Sequence, residues 1–523
     1  MQGGIAGASL AAGSLGGGHI RAEPHSGSQT NAKTWLFWDL WRFDVLRGVR
    51  LRQAKATWRP EATFADPLLT DIGSWPTVWR DNEAGLWRML YSGNWNPYTL
   101  LMAESPDGIH WRPSNLPEIE PPGGLKLAPN HLFTLPNGSG GSVYLDPVAA
   151  DGYPFKVYAI QSGVPVMARA KANPAHFFHE LASANQPRRY LVDHLTLLSK
   201  NGIEWVCALD RTWNKPHWHP EPPVHAYYNP LRRRHMITAR PGHGDRRVVI
   251  LDAADARSWS EPELLLQPDP MDEPLVQFYG MPVMVYENQF IGLLSVMHCD
   301  EPAAMRGFNH SVAHLDVQLA YSYDGIRYQR GFREAFIERN TPGQPGSGVV
   351  QPSAAVDTGT ELRFYCVGGR AQHGRTQQQR SSAPGVHVLL YTLRRDGFHY
   401  LDAIGNGAHA VSKPLTFLAP DLHVNIEAPH GEARFQCTDL KGAPIPGLTF
   451  EESIPAADTD ALSWKVAWKN GGLNSILRKP VRMEVRFRDA RLYAFRGHFH
   501  FLDAQDWLLL QDGKPIDNRY FDF

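Results

Sequence analysis

The sequence predicts an all-β protein, with a five-bladed β-propeller over residues 31–408 followed by a C-terminal β-sandwich and tail over 409–523. Three observations predict it. Glycine and proline number 46 and 41 among 523 residues. That is too many chain breakers for a mainly helical protein, because proline costs about 3 kcal/mol inside a helix. A short Asp-Gly or Asn-Gly pattern closed by an aromatic recurs along the chain, which is the mark of a repeat architecture. After about residue 408 the recurrence stops and a run of alternating strands takes its place.

Residues 1–30 stand outside the fold. From Gly3 to Gly18 the chain is almost wholly Gly, Ala, Ser, Leu and Ile, without charge. It is too short and too glycine-rich for a membrane span, which needs about 20 apolar residues. It reads as the apolar core of an export signal or as a disordered leader. A twin-arginine signal whose basic start lies upstream of Met1 matches the export reading, and the expected location is periplasmic or extracellular.

Residues 33–61 carry Trp35-Leu36-Phe37-Trp38-Asp39 and Val49-Arg50-Leu51, which are expected to supply a strand that closes the ring. The first blade follows, with strands expected at 75–80, 86–92 and 99–104. It ends on the first repeat, Ser105-Pro106-Asp107-Gly108-Ile109-His110-Trp111. The second copy is Ser199-Lys200-Asn201-Gly202-Ile203-Glu204-Trp205. A degenerate third is Asp255-Ala256-Arg257-Ser258-Trp259. The fourth is Ser322-Tyr323-Asp324-Gly325-Ile326-Arg327-Tyr328, behind strands at 277–286, 290–296 and 317–323. The fifth is Arg395-Asp396-Gly397-Phe398-His399-Tyr400, behind strands at 349–356, 361–367 and 386–394. Asp-Gly supplies the positive φ of a tight hairpin turn, and the aromatic opens the next strand. Three strands, a turn and a short fourth strand make one propeller blade. Beyond residue 408, strands are expected at 422–426, 432–438, 463–468, 481–487 and 491–495, a sandwich pattern.

Composition narrows function. A chain of this length exceeds a single core of roughly 250–300 residues. The formal charge is −1, so there is no electrostatic footprint for nucleic acid or an anionic membrane. The four cysteines, Cys207, Cys299, Cys366 and Cys437, have no metal-site spacing and read as buried free thiols. No phosphate loop, dinucleotide fingerprint, GxSxG or HExxH stands out.

The Ser-x-Asp-Gly-x-x-Trp blade endings, Asp146-Pro147 after a strand, and a C-terminal sandwich together resemble the five-bladed glycoside hydrolases of families 32, 43, 62 and 68. Uncharacterised bacterial members of the family-32/43-like superfamily are closer still. Their counterparts include Gly73-Ser74-Trp75-Pro76, Phe278-Tyr279-Gly280-Met281 and Asp489-Ala490-Arg491-Leu492. The resemblance covers about residues 33–500 and implies a carbohydrate ligand.

It also implies site residues. Glycosidases set two carboxylates across the scissile bond. In family 32 the nucleophile is an Asp opening blade one. Here Ser74-Trp75-Pro76 stands in that place without an Asp, and Asp71 or Asp66 is the available substitute. The Arg-Asp-Pro segment of blade two resembles Tyr144-Leu145-Asp146-Pro147, which makes Asp146 a candidate. The Glu-Cys-Pro acid of blade three resembles Pro220-Glu221-Pro222, which makes Glu221 the expected proton donor. Glu273, just ahead of blade four, is a second acid candidate.

Substrate contacts are expected from Trp75, His217, Trp218, His219, His225, Gln277, Tyr279, Gln351, Arg370 and His373. An Arg fork such as Arg370 suits a carboxylate or sulfate on an acidic sugar. Among 23 histidines, His217-x-His219 would share one strand face. Sugar binding is favoured over zinc there, so no metal ligand is assigned. No cofactor is required, and a structural Ca²⁺ in the channel is compatible. The leading expectation is an exported hydrolase of a glycosidic bond, for instance a furanoside, in an oligo- or polysaccharide. The alternatives are a non-catalytic glycan-binding propeller and a polysaccharide lyase using Tyr279 or His225 as base.

Overall fold

The computed structural model describes residues 32–69, 72–93, 98–117, 128–135, 138–161, 166–167, 193–209, 220–241, 246–300, 312–374, 385–405 and 407–514. Almost all regular structure is β, and one α-helix, Ala504–Gln511, is present among these residues.

The strands between residues 74 and 394 fall into successive antiparallel units, arranged as in a β-propeller. The first is built from Ser74–Asp81, Leu86–Ser92 and Tyr98–Ser105, with His131–Leu135 alongside. In the second, Gly138–Gly140 and Tyr144–Leu145 share the edge of Phe155–Gln161, followed by Asp193–Ser199 and Trp205–Leu209. The third is Pro220–Asn229, Arg234–Pro241, Val248–Ala253 and Glu263–Leu266. The fourth sets Val276–Gly280 and Val283–Tyr286 against Gln289–Cys299, then Ala313–Ser322. The fifth is Val349–Asp357, Glu361–Gly369 and Val386–Arg394. Its outer strand comes from far upstream: Thr57–Trp58 pairs with Val386–Arg394.

The first, second and fourth repeats form the predicted turn, and its hydrogen bonds explain the residue types; in the third and fifth the positive φ falls on Ala256 and Asp396. Gly108, Gly202 and Gly325 have φ of 73°, 75° and 74°, the left-handed region glycine tolerates at no steric cost. Ser105 Oγ accepts from the Asp107 and Gly108 N–H groups, and Asp107 Oδ1 accepts from Ile109 and His110. Ser199/Asn201 and Ser322/Asp324 repeat this arrangement. With the turn's N–H groups satisfied inside the turn, its carbonyl is left to accept from a neighbouring unit. Tyr365 OH donates to Gly108 O at 2.7 Å, Tyr158 OH to Ala256 O at 2.7 Å and Tyr227 OH to Gly325 O at 3.0 Å. At the fifth turn Tyr286 OH donates to the Asp396 carboxylate itself at 2.5 Å. These bonds run from unit five to one, two to three, three to four and four to five.

The expectation for residues 33–61 is met only in part. The ring-closing strand is Thr57–Trp58, whereas Lys33–Leu36, Phe43–Arg47 and Val49–Gln53 all join the C-terminal sheet. Alternation explains why Trp35-Leu36-Phe37-Trp38 is apolar throughout. Trp35 and Phe37 enter the core of the C-terminal sheet, while Leu36 and Trp38 enter the core of units four and five.

In the C-terminal sheet the strands expected at 422–426 and 432–438 are one bent strand, Leu415–Thr438. It pairs with Arg491–Phe501 in its first half and Arg482–Arg488 in its second. Arg496 ties this sheet to the propeller units, bonding Asp396 at 2.6 Å and Glu287 at 2.9 Å. The helix Ala504–Gln511 is held by a capping box at Asp503, and Asp506 reaches back to His500 at 2.9 Å, both side chains fully buried.

Tyr227→Phe removes the donor to a buried carbonyl. It is expected to lower stability by about 1–2 kcal/mol, read as a shifted midpoint with unchanged slope in urea unfolding.

Candidate functional site

All the repeat turns lie at one end of the units. The opposite end, where the inner strands begin, is the mouth. Close approach of inner strands narrows the space behind it. A Cβ on Gly141 would sit 1.8 Å from Val224 O, and one on Gly280 would sit 2.3 Å from Pro223 Cγ. Thr77 Oγ1 donates to Val143 O at 2.8 Å across the first and second units.

The floor of the mouth gathers Trp75, His225, Gln277 and Tyr279, all buried. Trp75 meets the His225 ring edge-on, with centroids 6.1 Å apart. Ser142 Oγ lies 3.0 Å from His225 Nδ1. Burial pushes the His225 pKa down to about 3, so this imidazole is neutral at ordinary pH. Tyr279 packs on His373 from unit five, with ring centroids 5.1 Å apart. Two buried arginines flank the same tyrosine. The Arg240 and Arg246 guanidinium carbons lie 4.7 and 5.5 Å from its centroid. Arg240 Nε donates to Pro222 O at 2.9 Å, and Arg246 donates to Gln277 Oε1 at 3.1 Å. Gln351, also buried, stands on the inner strand of unit five.

Around this floor runs a more accessible rim. Arg370 is exposed and donates from Nε to Gly343 O at 2.9 Å. Glu273 is exposed ahead of unit four, and its Oε2 lies 3.2 Å from His298 Nδ1. His298 Nε2 lies 3.1 Å from Asp316.

The other candidates fall elsewhere. Asp146 stands at the turn end, opposite the mouth. Its carboxylate accepts from the Val148 and Ala149 N–H groups and pairs with the wholly buried Lys156 ammonium at 2.8 Å. Burial alone would raise its pKa. The Ala149 N–H and Lys156 outweigh that and hold it below the usual carboxylate range. Asp66 is buried and accepts from the Tyr91 hydroxyl and the Asn130 amide. Glu221 opens the inner strand of unit three at the mouth, with Arg240 as its partner in register; its side chain lies outside the described residues. Asp71, His217, Trp218 and His219 lie outside them too. Among the described residues no group of three or more His, Cys, Asp or Glu could hold a metal ion, and no helix is long and apolar enough to cross a membrane. Cys207, Cys299, Cys366 and Cys437 are free thiols, the last two buried.

The sequence context of Arg240, Arg246 and Asp316 does not single them out as site residues, whereas His298 stands with His310 and His314 in a second histidine cluster for which sugar binding is the favoured reading. For Arg240 a signal existed: it ends the apolar run Met236-Ile237-Thr238-Ala239, where a strand reaches the mouth.

No family model matches the chain, and no curated protein matches it. Similar solved structures include BT0996 in a complex with RGII, at 12% identity and a TM-score of 0.41, covering 64% of this protein and 92% of that one. An N-acetylgalactosamine deacetylase from F. plautii, in complex with blood group B trisaccharide, has 12% identity and a TM-score of 0.39 over 66% and 96% of the two proteins. A β-fructofuranosidase from Schwanniomyces occidentalis, complexed with fructosyl-erythritol, has 10% identity and a TM-score of 0.37 over 85% and 98%. Likenesses of this size leave the reading of the site to its own residues.

Asp146→Ala leaves the Lys156 ammonium buried with Asp151, at 3.0 Å, as its remaining carboxylate among the described residues, beside the Tyr153 carbonyl at 2.5 Å. A loss of about 3 kcal/mol is expected. Because the folded pKa of Asp146 is depressed, its contribution is present above about pH 4, the usual unfolded Asp value, and is lost as pH falls through the folded value. Urea midpoints measured from pH 7 down to pH 2 should therefore converge for the variant and the parent.

Proposed function

We propose that this chain is an exported, carbohydrate-active protein that hydrolyses a glycosidic bond at the mouth of a closed five-bladed ring. The observation that carries the reading is the assembly on Tyr279. Units one, three, four and five each contribute to one place there, through Trp75, His225 with Arg240, Gln277 with Tyr279, and His373. Aromatic rings beside amide and guanidinium donors suit a ligand with apolar C–H faces and many hydroxyls. The chemistry of hydrolysis needs a proton donor and a second carboxylate on opposite sides of the bond. Glu221 and Glu273 open or precede the inner strands of adjacent units at that mouth, which supports reading them as that pair.

One observation favours glycan binding without catalysis. Where the resembling family opens its first blade with a nucleophilic Asp, this chain has Trp75, buried and packed on His225.

A panel of aryl glycosides and soluble polysaccharides, with product analysis, separates the two. Hydrolysis is expected, and Glu221→Gln is expected to lower kcat by about 10²–10⁴-fold with an unchanged melting temperature. Retarded migration in a polysaccharide gel without any product would establish the binding reading instead. Full activity in Glu221→Gln would remove that residue from the mechanism.

A further inference from the structure

At the rim of the mouth one histidine stands between two carboxylates. His298 Nδ1 lies 3.2 Å from Glu273 Oε2, and His298 Nε2 lies 3.2 Å from Asp316 Oδ1 and 3.1 Å from Oδ2. A neutral imidazole has a single N–H and can donate to only one of them. Two ionised carboxylates therefore require the imidazolium. A neutral ring that donates to Asp316 turns its Nδ1 lone pair toward Glu273. Asp316 is the fixed end, with 16% of its side chain exposed against 76% for Glu273.

The framework holds this array in place. His298 and His314 are directly opposed on neighbouring strands, and Asp316, two residues further on, is the diagonal neighbour of His298 on the same face. The segment that carries Glu273 is clamped just upstream. Arg330 bonds Asp272 at 2.6 Å and Asp269 at 3.2 Å, and Arg333 bonds Asp269 at 2.8 Å. Glu273 thus has an anchored backbone and a solvent-facing carboxyl, as a group that must reach a substrate requires. The charged and titratable groups facing the array are His314, with Asp300 and Arg339 acting on it, and the Arg330/Arg333 clamp. The bond to Asp316 raises the His298 pKa above its ordinary value, and Glu273 acts in the same direction.

We propose that Glu273, in place of Glu221, is the acid–base residue of this mouth, which leaves Glu221 as the second carboxylate of the pair, and that His298 and Asp316 are the positioning residues of Glu273. The proposal rests on the hydrolase reading above. In the acid step the Glu273 O–H bond breaks as an O–H bond forms to the leaving glycosidic oxygen, which keeps the electron pair of the cleaved C–O bond. The water that completes hydrolysis returns a proton to the carboxylate, so none is consumed overall.

Imidazole NMR of the full chain, with the His298 signal assigned by its loss in His298→Gln, tests the array without any substrate. His298 is expected to titrate above the ordinary value of about 6.5. Its midpoint should fall by about one pH unit or more in Asp316→Asn and also fall in Glu273→Gln. A midpoint unmoved by either substitution overturns the proposal. On any glycoside the panel shows to be hydrolysed, Glu273→Gln is expected to lose at least about 100-fold in kcat with KM nearly constant. His298→Gln should displace a limb of the kcat/KM pH profile, and Glu273→Asp should restore part of the rate. Full activity in Glu273→Gln overturns the catalytic role. Absence of any hydrolysed glycoside overturns the hydrolase reading, and the catalytic role with it, while the NMR titration separately decides whether His298 is held between the two carboxylates.

Discussion

The turn carbonyl is the constraint on which the propeller units depend. A four-stranded unit cannot bury both faces alone, so each must be fixed to the next. The repeat achieves this with chemistry local to seven residues. Ser and Asx side chains satisfy the turn's own N–H groups, and the glycine carbonyl is left as a fixed acceptor for a tyrosine of the neighbouring unit. Between units one and two the same place is held by rings. Trp79 packs on Phe155 at 5.3 Å, and a Cβ on Gly202 would lie 3.3 Å from that phenylalanine. The bond from Tyr365 to Gly108 joins the last unit to the first, across more than 250 residues of sequence.

Fixing the turn end has a consequence for what a sequence can reveal. The repeat was legible because Ser, Asp, Gly and the closing aromatic act within a few bonds of one another. The strands before the first, fourth and fifth copies were legible for a related reason, since turns bounded them on both sides. Trp35-Leu36-Phe37-Trp38 was not assignable to a sheet, because a run apolar on both faces says only that both faces are covered. Its two covers lie hundreds of residues downstream. The bent strand Leu415–Thr438 looked like two, because its register slips between Ala428 and Glu432, where the chain passes from one partner to another.

Site residues were harder to read for a different reason. Asp146-Pro147 has the composition of a family motif, yet what that carboxylate does is set by Lys156, one strand away, and by two N–H groups of its own turn. Glu273 and Asp316 stand 25 and 18 residues from His298 in sequence. Their meeting depends on the register of one hairpin, and a one-residue slip would send Asp316 to the opposite face. Chemistry that depends on register cannot be read before the register is known.

The two layers of the mouth divide the work along the same line. Inner strands begin there, so backbone groups at their ends need partners. Buried side chains provide some of them, since Arg240 donates to Pro222 O and Gln277 accepts from the Arg246 N–H as well as from its guanidinium, while the backbone itself pairs Phe278 N–H with Arg246 O. Arginine suits a buried place of this kind because it does not lose its charge, and it stacks on Tyr279 while donating. His225, neutral in its enclosure, adds no compensating charge. A group that must gain and lose a proton in each turnover is better placed outside that layer, on segments whose backbone is held by something else. The Glu273 segment meets that condition, because Arg330 and Arg333 hold it through Asp269 and Asp272 and leave the glutamate carboxyl to His298 and solvent. On the proposed hydrolase reading, variation of specificity is expected to concentrate in the rim, since a change in the floor would disturb strand ends.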